Sequence, residues 1–269
     1  MNRFAKLLEK LLFTPSRNAK IIAMAEYFEN TPDPDRGFAL GAITRDLSLN
    51  NLKPTQLRTL TKTRVDPELF DMSYDYVGDM AETISLIWPK HTNRVIKKQR
   101  LPQLGELISA LQTKSKIALQ TYVTELLDCA SVTERWAIIK MVTGGLRVGV
   151  SARLAKSSLA EYSGKDLTEI EKIWHGIAVP YTELFSWLDG LADRPCIAPD
   201  RIFHPLMLSN PIDAQHDFDC LNPVDYEAEW KWDGIRVQLL LNAFAISETA
   251  GKNPKKHAKT RVFSRSGDD

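Results

Sequence analysis

The sequence predicts a mainly α, multi-helix N-terminal domain followed by an incomplete α+β domain. Three observations carry that expectation. Apolar residues recur at helical spacing from residue 1 to about 190. A proline-bearing stretch, residues 191–205, then interrupts the pattern with Pro195, Pro199 and Pro205. Beyond it the period shortens to that of strands, and only two strand candidates follow before residue 269.

The elements follow in order. Phe4, Leu7, Leu8, Leu11 and Leu12 lie on one helical face, and Lys6, Glu9 and Lys10 break the run, so Met1–Phe13 reads as a packed amphipathic helix rather than a signal peptide. Thr31-Pro32-Asp33-Pro34, Lys53-Pro54, Asp66-Pro67 and Trp88-Pro89 are breaks between helices. Leu104, Leu107, Ile108 and Leu111 form one helical face, and Leu119, Val123, Leu126 and Leu127 another. Thr133 is the expected N-cap of a helix through Lys140, and Ser151 of a helix over Ala152–Glu161. After the linker, Ile235–Leu239 and Thr260–Arg265 read as strands, joined by a loop around Glu248–Lys259 whose Lys255-Lys256-His257 cluster reads as solvated. Two or three strands do not make a stable sheet domain.

The 269 residues suffice for one large or two ordinary domains, and 43% hydrophobic with 26% charged residues is a soluble, globular balance. A net charge of +1 means that nucleic-acid binding must come from a local basic face. Cys129, Cys196 and Cys220 are far apart and odd in number, and the histidines are scattered. No disulfide framework or metal site is expected, and a reducing cytoplasm is the natural compartment. No apolar stretch is long enough to cross a membrane as a helix.

Three segments carry candidate chemistry. In Glu229-Trp230-Lys231-Trp232-Asp233-Gly234-Ile235-Arg236, a lysine amine could take up a nucleotidyl group, and Arg236 offers a forked donor for phosphate or ribose oxygens. The alternative is a polar hairpin edge in which Asp233-Gly234 only makes a turn. Lys-x-Asp-Gly-x-Arg arises by chance in roughly a few per thousand chains of this length, so alone it is a moderate signal. The second segment, Lys140–Ser151, places Gly144, Gly145 and Gly149 among Lys140, Arg147, Arg153 and Lys156. Backbone amides, basic side chains and a helix N-terminus there suit a sugar-phosphate backbone and carry no base-reading code. A helix-turn-helix corner with glycines permitting close packing explains the segment equally well. The third, Gly78-Asp79, reads locally as a turn and helix start.

Together these pieces resemble the ATP-dependent DNA ligases nearly end to end. Lys231–Arg236 resembles the first nucleotidyltransferase motif, with Glu229 placed like the family's adenine-contacting Glu. Phe263–Gly267 resembles the following motif, whose arginine is Arg265 here. Gly78-Asp79 resembles the family's "GD" turn, Leu146–Val150 its "LRIG" signature, and His204–Leu208 the "PMLA" entry to the adenylation domain. Met1–Ala5 and Gly144–Ser151 are most similar to bacterial repair-type ligases, often encoded beside a helicase and a nuclease.

The resemblance implies an all-α DNA-binding domain over residues 1–190, a linker over 191–205 and a partial nucleotidyltransferase (adenylation) domain over 206–269. It implies nick sealing in DNA repair through a lysyl-AMP intermediate, with ATP and Mg2+ as cofactors and nicked double-stranded DNA as partner. Lys231 is then the nucleophile, and Glu229, Trp230, Arg236 and Arg265 hold nucleotide. Lys140, Gly144, Gly145, Arg147, Gly149 and Arg153 face DNA. A monomer is expected, with a repair helicase and nuclease as possible partners. The family's later motifs, including its metal-binding Glu, its Lys-x-Lys pair and its OB-fold, are missing after Gly267. A truncated ligase unable to complete ligation is therefore expected. The alternatives are a DNA-binding module without catalysis and another lysyl-nucleotidyltransferase such as an RNA ligase.

Overall fold

The computed structural model describes residues 1–49, 52–89, 100–197, 204, 211–213, 216–219, 221–241 and 260–264. They contain twelve α-helices and one two-stranded sheet, a mainly helical chain with an incomplete α+β part. The strand expected over Thr260–Arg265 ends at Ser264 there; Arg265, most of the His204–Leu208 segment and the 248–259 loop lie outside the described residues. The chain divides into two compact units: Met1–Leu167 with Ile177–Pro195, and Thr168–Gly176 with Cys196–Asp269.

In the first unit, α1 (Asn2–Phe13) buries Phe4, Ala5, Leu7, Leu8 and Leu11. Leu12, expected on the same face, is 45% exposed because the buried stripe passes through Leu11. The polar and proline breaks then act as helix starts. The Ser16 hydroxyl accepts from the Ala19 amide to open α2 (Arg17–Asn30), and α3 (Asp35–Thr44) follows the Pro32–Pro34 break. Pro54 and Pro67 stand in the first turns of α4 (Pro54–Lys62) and α5 (Pro67–Val77), where a missing N–H costs nothing. Gly78, left-handed at φ 74°, ends α5, and the Asp79 carboxylate accepts from the Glu82 amide to start α6 (Met80–Ile87).

Helix α7 (Leu104–Thr113) buries the predicted Leu104, Leu107, Ile108 and Leu111, and α8 (Lys116–Cys129) buries Leu119, Val123, Leu126 and Leu127. Asp35 of α3 accepts from the Leu104 and Gly105 amides, so one helix caps another across the chain. For α9 (Val132–Val142) the expected cap was displaced. Ser131, not Thr133, is the N-cap, and it forms a reciprocal capping box with Glu134. Thr133 lies inside the helix, where its hydroxyl reaches Glu9. The Glu134 carboxyl is raised by burial but held below the usual carboxylate range by the Ser131 amide and hydroxyl, Asn2 and the N-terminal ammonium.

Helix α9 packs on α1 and α6, while α10 (Ala152–Ser163) packs on α2 and α3. Gly37 of α3 fits where no other residue would, since a Cβ there would lie 1.6 Å from the Pro180 carbonyl oxygen. One polar cluster sits in this mass. Arg36 bonds Asp33 and Asp189 bidentately, bonds the Tyr162 hydroxyl, and lies 4.4 Å above the Phe185 ring of α12 (Thr182–Leu188).

In the second unit, α11 (Leu167–Trp174) buries Ile170, Ile173 and Trp174. The strands β1 (Val237–Leu241) and β2 (Thr260–Ser264) pair antiparallel, with Val237 opposite Ser264 and Leu241 opposite Thr260. β1 begins two residues later than expected, leaving Ile235 and Arg236 in the approach to the strand. Phe263 is fully buried beside His175, at 5.8 Å between ring centres. Val237, Leu239 and Val262 stay about half exposed, so this hairpin has an uncovered apolar face.

Candidate nucleic-acid interface

The glycine segment begins as the end of α9. The Gly144 amide donates to Met141 O and the Gly145 amide to Lys140 O, a Schellman closure that requires the left-handed φ of 69° at Gly144. Those two amides are therefore committed within the turn. The chain then alternates: Leu146 and Val148 are buried, whereas Arg147 and Gly149 are exposed. The two apolar residues anchor the loop and throw Arg147 outward, with no carboxylate partner among the described residues.

A cation beneath the loop holds its shape. Lys20 of α2 is only 9% exposed, and its Nζ donates to Val148 O at 2.9 Å and Gly149 O at 3.2 Å. Gly149 has φ 66°, and a Cβ there would stand 2.7 Å from the Lys20 Nζ. Both facts call for glycine. Ser151 takes the expected cap position of α10, its hydroxyl accepting from the Leu154 amide. Arg153 is exposed in the first turn of that helix. An open cleft of about 520 Å³ runs beside the loop, and its lining includes Arg17, Lys20, Arg45, Arg147 and Ser151. Arg17, Lys20 and Arg45 have no sequence signal tying them to the loop, because only packing brings α2 and the end of α3 to it.

Lys140 is differently placed. Its ammonium pairs with Asp79, the helix cap of the Gly78-Asp79 turn, and lies 5.9 Å from the Trp136 ring centre. Burial pushes the Asp79 carboxyl up, but Lys140 and the Glu82 and Ala81 amides hold it below the usual carboxylate range. Two segments that the sequence presents separately thus meet in one ion pair. Lys156, counted among the basic residues of the loop, is buried at 6% exposure.

In the second unit, Glu229, Trp230, Lys231 and Arg236 lie exposed on a chain of no regular structure before β1. Trp230 is 85% and Trp232 86% exposed. An acceptor, an aromatic ring, an amine and a guanidinium lie within eight residues, group types suited to a nucleotide. Among the described residues no group of three His, Cys, Asp or Glu side chains could hold a metal ion. Nor is any helix among them long and apolar enough to cross a membrane.

Comparison with known proteins converges on one family. Residues 1–160 match the family model described as the DNA ligase N terminus. A probable DNA ligase of Koribacter versatilis (strain Ellin345) is 23% identical over 288 residues, covering all of this chain and 45% of the relative. The chain thus spans less than half the length of the relative it matches.

Proposed function

The chain belongs to the DNA ligase N-terminus family, and from that premise we propose that its helical part, residues 1–190, holds nicked duplex DNA for an ATP-dependent ligase. The observation that carries this reading is Arg147, turned outward on a loop anchored by Leu146, Val148 and the buried Lys20. An exposed guanidinium on an anchored loop, four residues before the Ser151 cap of α10, suits a phosphate. Arg153 adds charge on the first turn. Gly144, Gly145 and Gly149 shape the backbone, and Lys140 ties the loop to the Gly78-Asp79 turn.

In the same proposal residues 191–205 link this part to a partial adenylation domain over 206–269. Lys231 is there the acceptor of the adenylyl group in a nick-sealing repair reaction through lysyl-AMP. ATP supplies that group when bound. In this reading Glu229 accepts from the adenine amino group, Trp230 stacks on the base, and Arg236 and Arg265 hold phosphate or ribose oxygens. Mg2+, held largely by the ATP phosphates, would neutralise their charge when bound. A cytoplasmic repair role is part of the reading.

A narrower reading, a DNA-binding module without catalysis, is favoured by one observation. The apolar residues beside Lys231, including Trp230, Trp232 and Ile235, are at least 85% exposed, so nothing described here walls the amine from water.

Fluorescence anisotropy with nicked duplex separates these outcomes from failure. The chain should bind at low salt, and Arg147→Gln should weaken binding and lower the salt slope by about 1. No binding at low salt would sink the DNA reading. With α-labelled ATP and Mg2+, this chain should acquire at most trace label at Lys231 and seal no nicks. Strong labelling followed by sealing would show that the exposed segment suffices for catalysis.

A further inference from the structure

Several basic residues in the first unit are paired with carboxylates. Lys10 pairs with Glu26, Arg36 with Asp33 and Asp189, Arg58 and Lys62 with Asp71, and Lys140 with Asp79. The cleft beside the Leu146–Ser151 loop is the contrast. Arg17 opens α2, Arg45 follows α3, and Arg147 stands on the loop; all three line this cleft and are exposed. None has a carboxylate partner among the described residues. Three like charges line one open cleft, and an anion seated there would be attracted by all three.

Two further observations make this a built arrangement. Lys20, nine-tenths buried in the same lining, spends its ammonium on Val148 O and Gly149 O, so the cleft wall that carries Arg147 is held from below. Arg45 occupies the left-handed position after α3, φ 68°, where glycine is the unstrained choice. An arginine at that place projects its guanidinium from a backbone locked by the Arg45 amide on Gly41 O.

We propose that Arg17, Arg45 and Arg147 form a three-arginine cradle for the sugar-phosphate backbone of duplex DNA, with Lys20 as the positioning residue of its loop. The proposal rests on the DNA reading above and adds Arg17, Arg45 and Lys20 to it. Guanidinium forks suit phosphate oxygens bidentately, and counterion release on binding makes each such contact visible as salt dependence.

The test uses the full chain and a nicked duplex, with affinity measured across a salt series. The Arg17→Gln/Arg45→Gln double variant changes two exposed side chains, so it keeps its helical signal. It should bind about tenfold more weakly at low salt, with the salt slope reduced by about 2. Lys20→Met should reproduce the loss seen in Arg147→Gln, and adding it to Arg147→Gln should cost little more. A merely structural role would instead make the two losses add. If the double variant keeps the unaltered chain's affinity and slope while Arg147→Gln is weakened, the cradle is wrong and the DNA reading stands. If the unaltered chain does not bind duplex, both fall. Should Lys20→Met fail to fold, the double variant alone decides.

Discussion

Lys20 and Gly149 are a matched pair of residues. A buried ammonium needs oxygen partners, and the Val148 and Gly149 carbonyls supply them in a loop where Gly149 is left-handed. Gly149→Ala should therefore cost about 1–3 kcal/mol in chemical denaturation, through strain at positive φ and the crowding of the Lys20 Nζ. Gly164→Ala is the comparison, because its φ is also positive, at 68°, but a Cβ there meets nothing within 4 Å. An equal loss in both variants would mean that Lys20 adds nothing. The residue types were legible in the sequence as a basic glycine loop. Which cation is structural was not, because Lys20 lies far from the loop in the chain.

At the scale of the helix, α9 shows how local signals are read and misread. Its apolar face, buried through Ala137, Ile138, Ile139, Met141 and Val142, supports contacts with α1, α6 and α8. Its start is set by Ser131, whose hydroxyl and amide both engage Glu134. Thr133 has the right chemistry for a cap, but the capping box needs Ser and Glu three residues apart, and only Ser131 satisfies that. Ser131→Ala should lower stability by about 1 kcal/mol, whereas Thr133→Ala, which loses one exposed bond to Glu9, should lower it less. Thermal unfolding of the two variants checks the order. The reverse order would return the cap to Thr133.

Across the first unit, stability converges on Arg36, which ties α3 to Tyr162 of α10 and to Asp189 after α12. Burial would lower its pKa, but the hydrogen bonds and charges of Asp33 and Asp189 raise it further above the ordinary value. Arg36→Met strands two carboxylates and should cost about 3–5 kcal/mol. The Asp189 carboxyl is pushed up by burial yet held below its usual range by Arg36 and Tyr162. A depressed folded value means its contribution is full above the unfolded value and is lost as pH falls through the folded one. Relative to Asp189→Asn, the unaltered chain's advantage should be constant above pH about 5 and shrink below about 4. Urea unfolding over a pH series measures it, and an advantage that persists undiminished into strong acid would exclude the ion pair as its source.

Periodicity, breaks and motif wording in the sequence were enough for the mainly helical class, the helix limits marked by prolines and by Ser151, and the ligase resemblance. These depend on interactions within a few residues, where spacing along the chain is spacing in space. The tertiary structure alone decided which charges are consumed and which face outward. Lys140 went to Asp79 and Lys20 to the loop carbonyls, leaving Arg17, Arg45 and Arg147 around one cleft. It also showed Lys231 among exposed apolar neighbours, which no motif reveals. The physical reason is the same in each case: pairing and burial are set by residues far apart in the chain, and only packing brings them within a few ångströms.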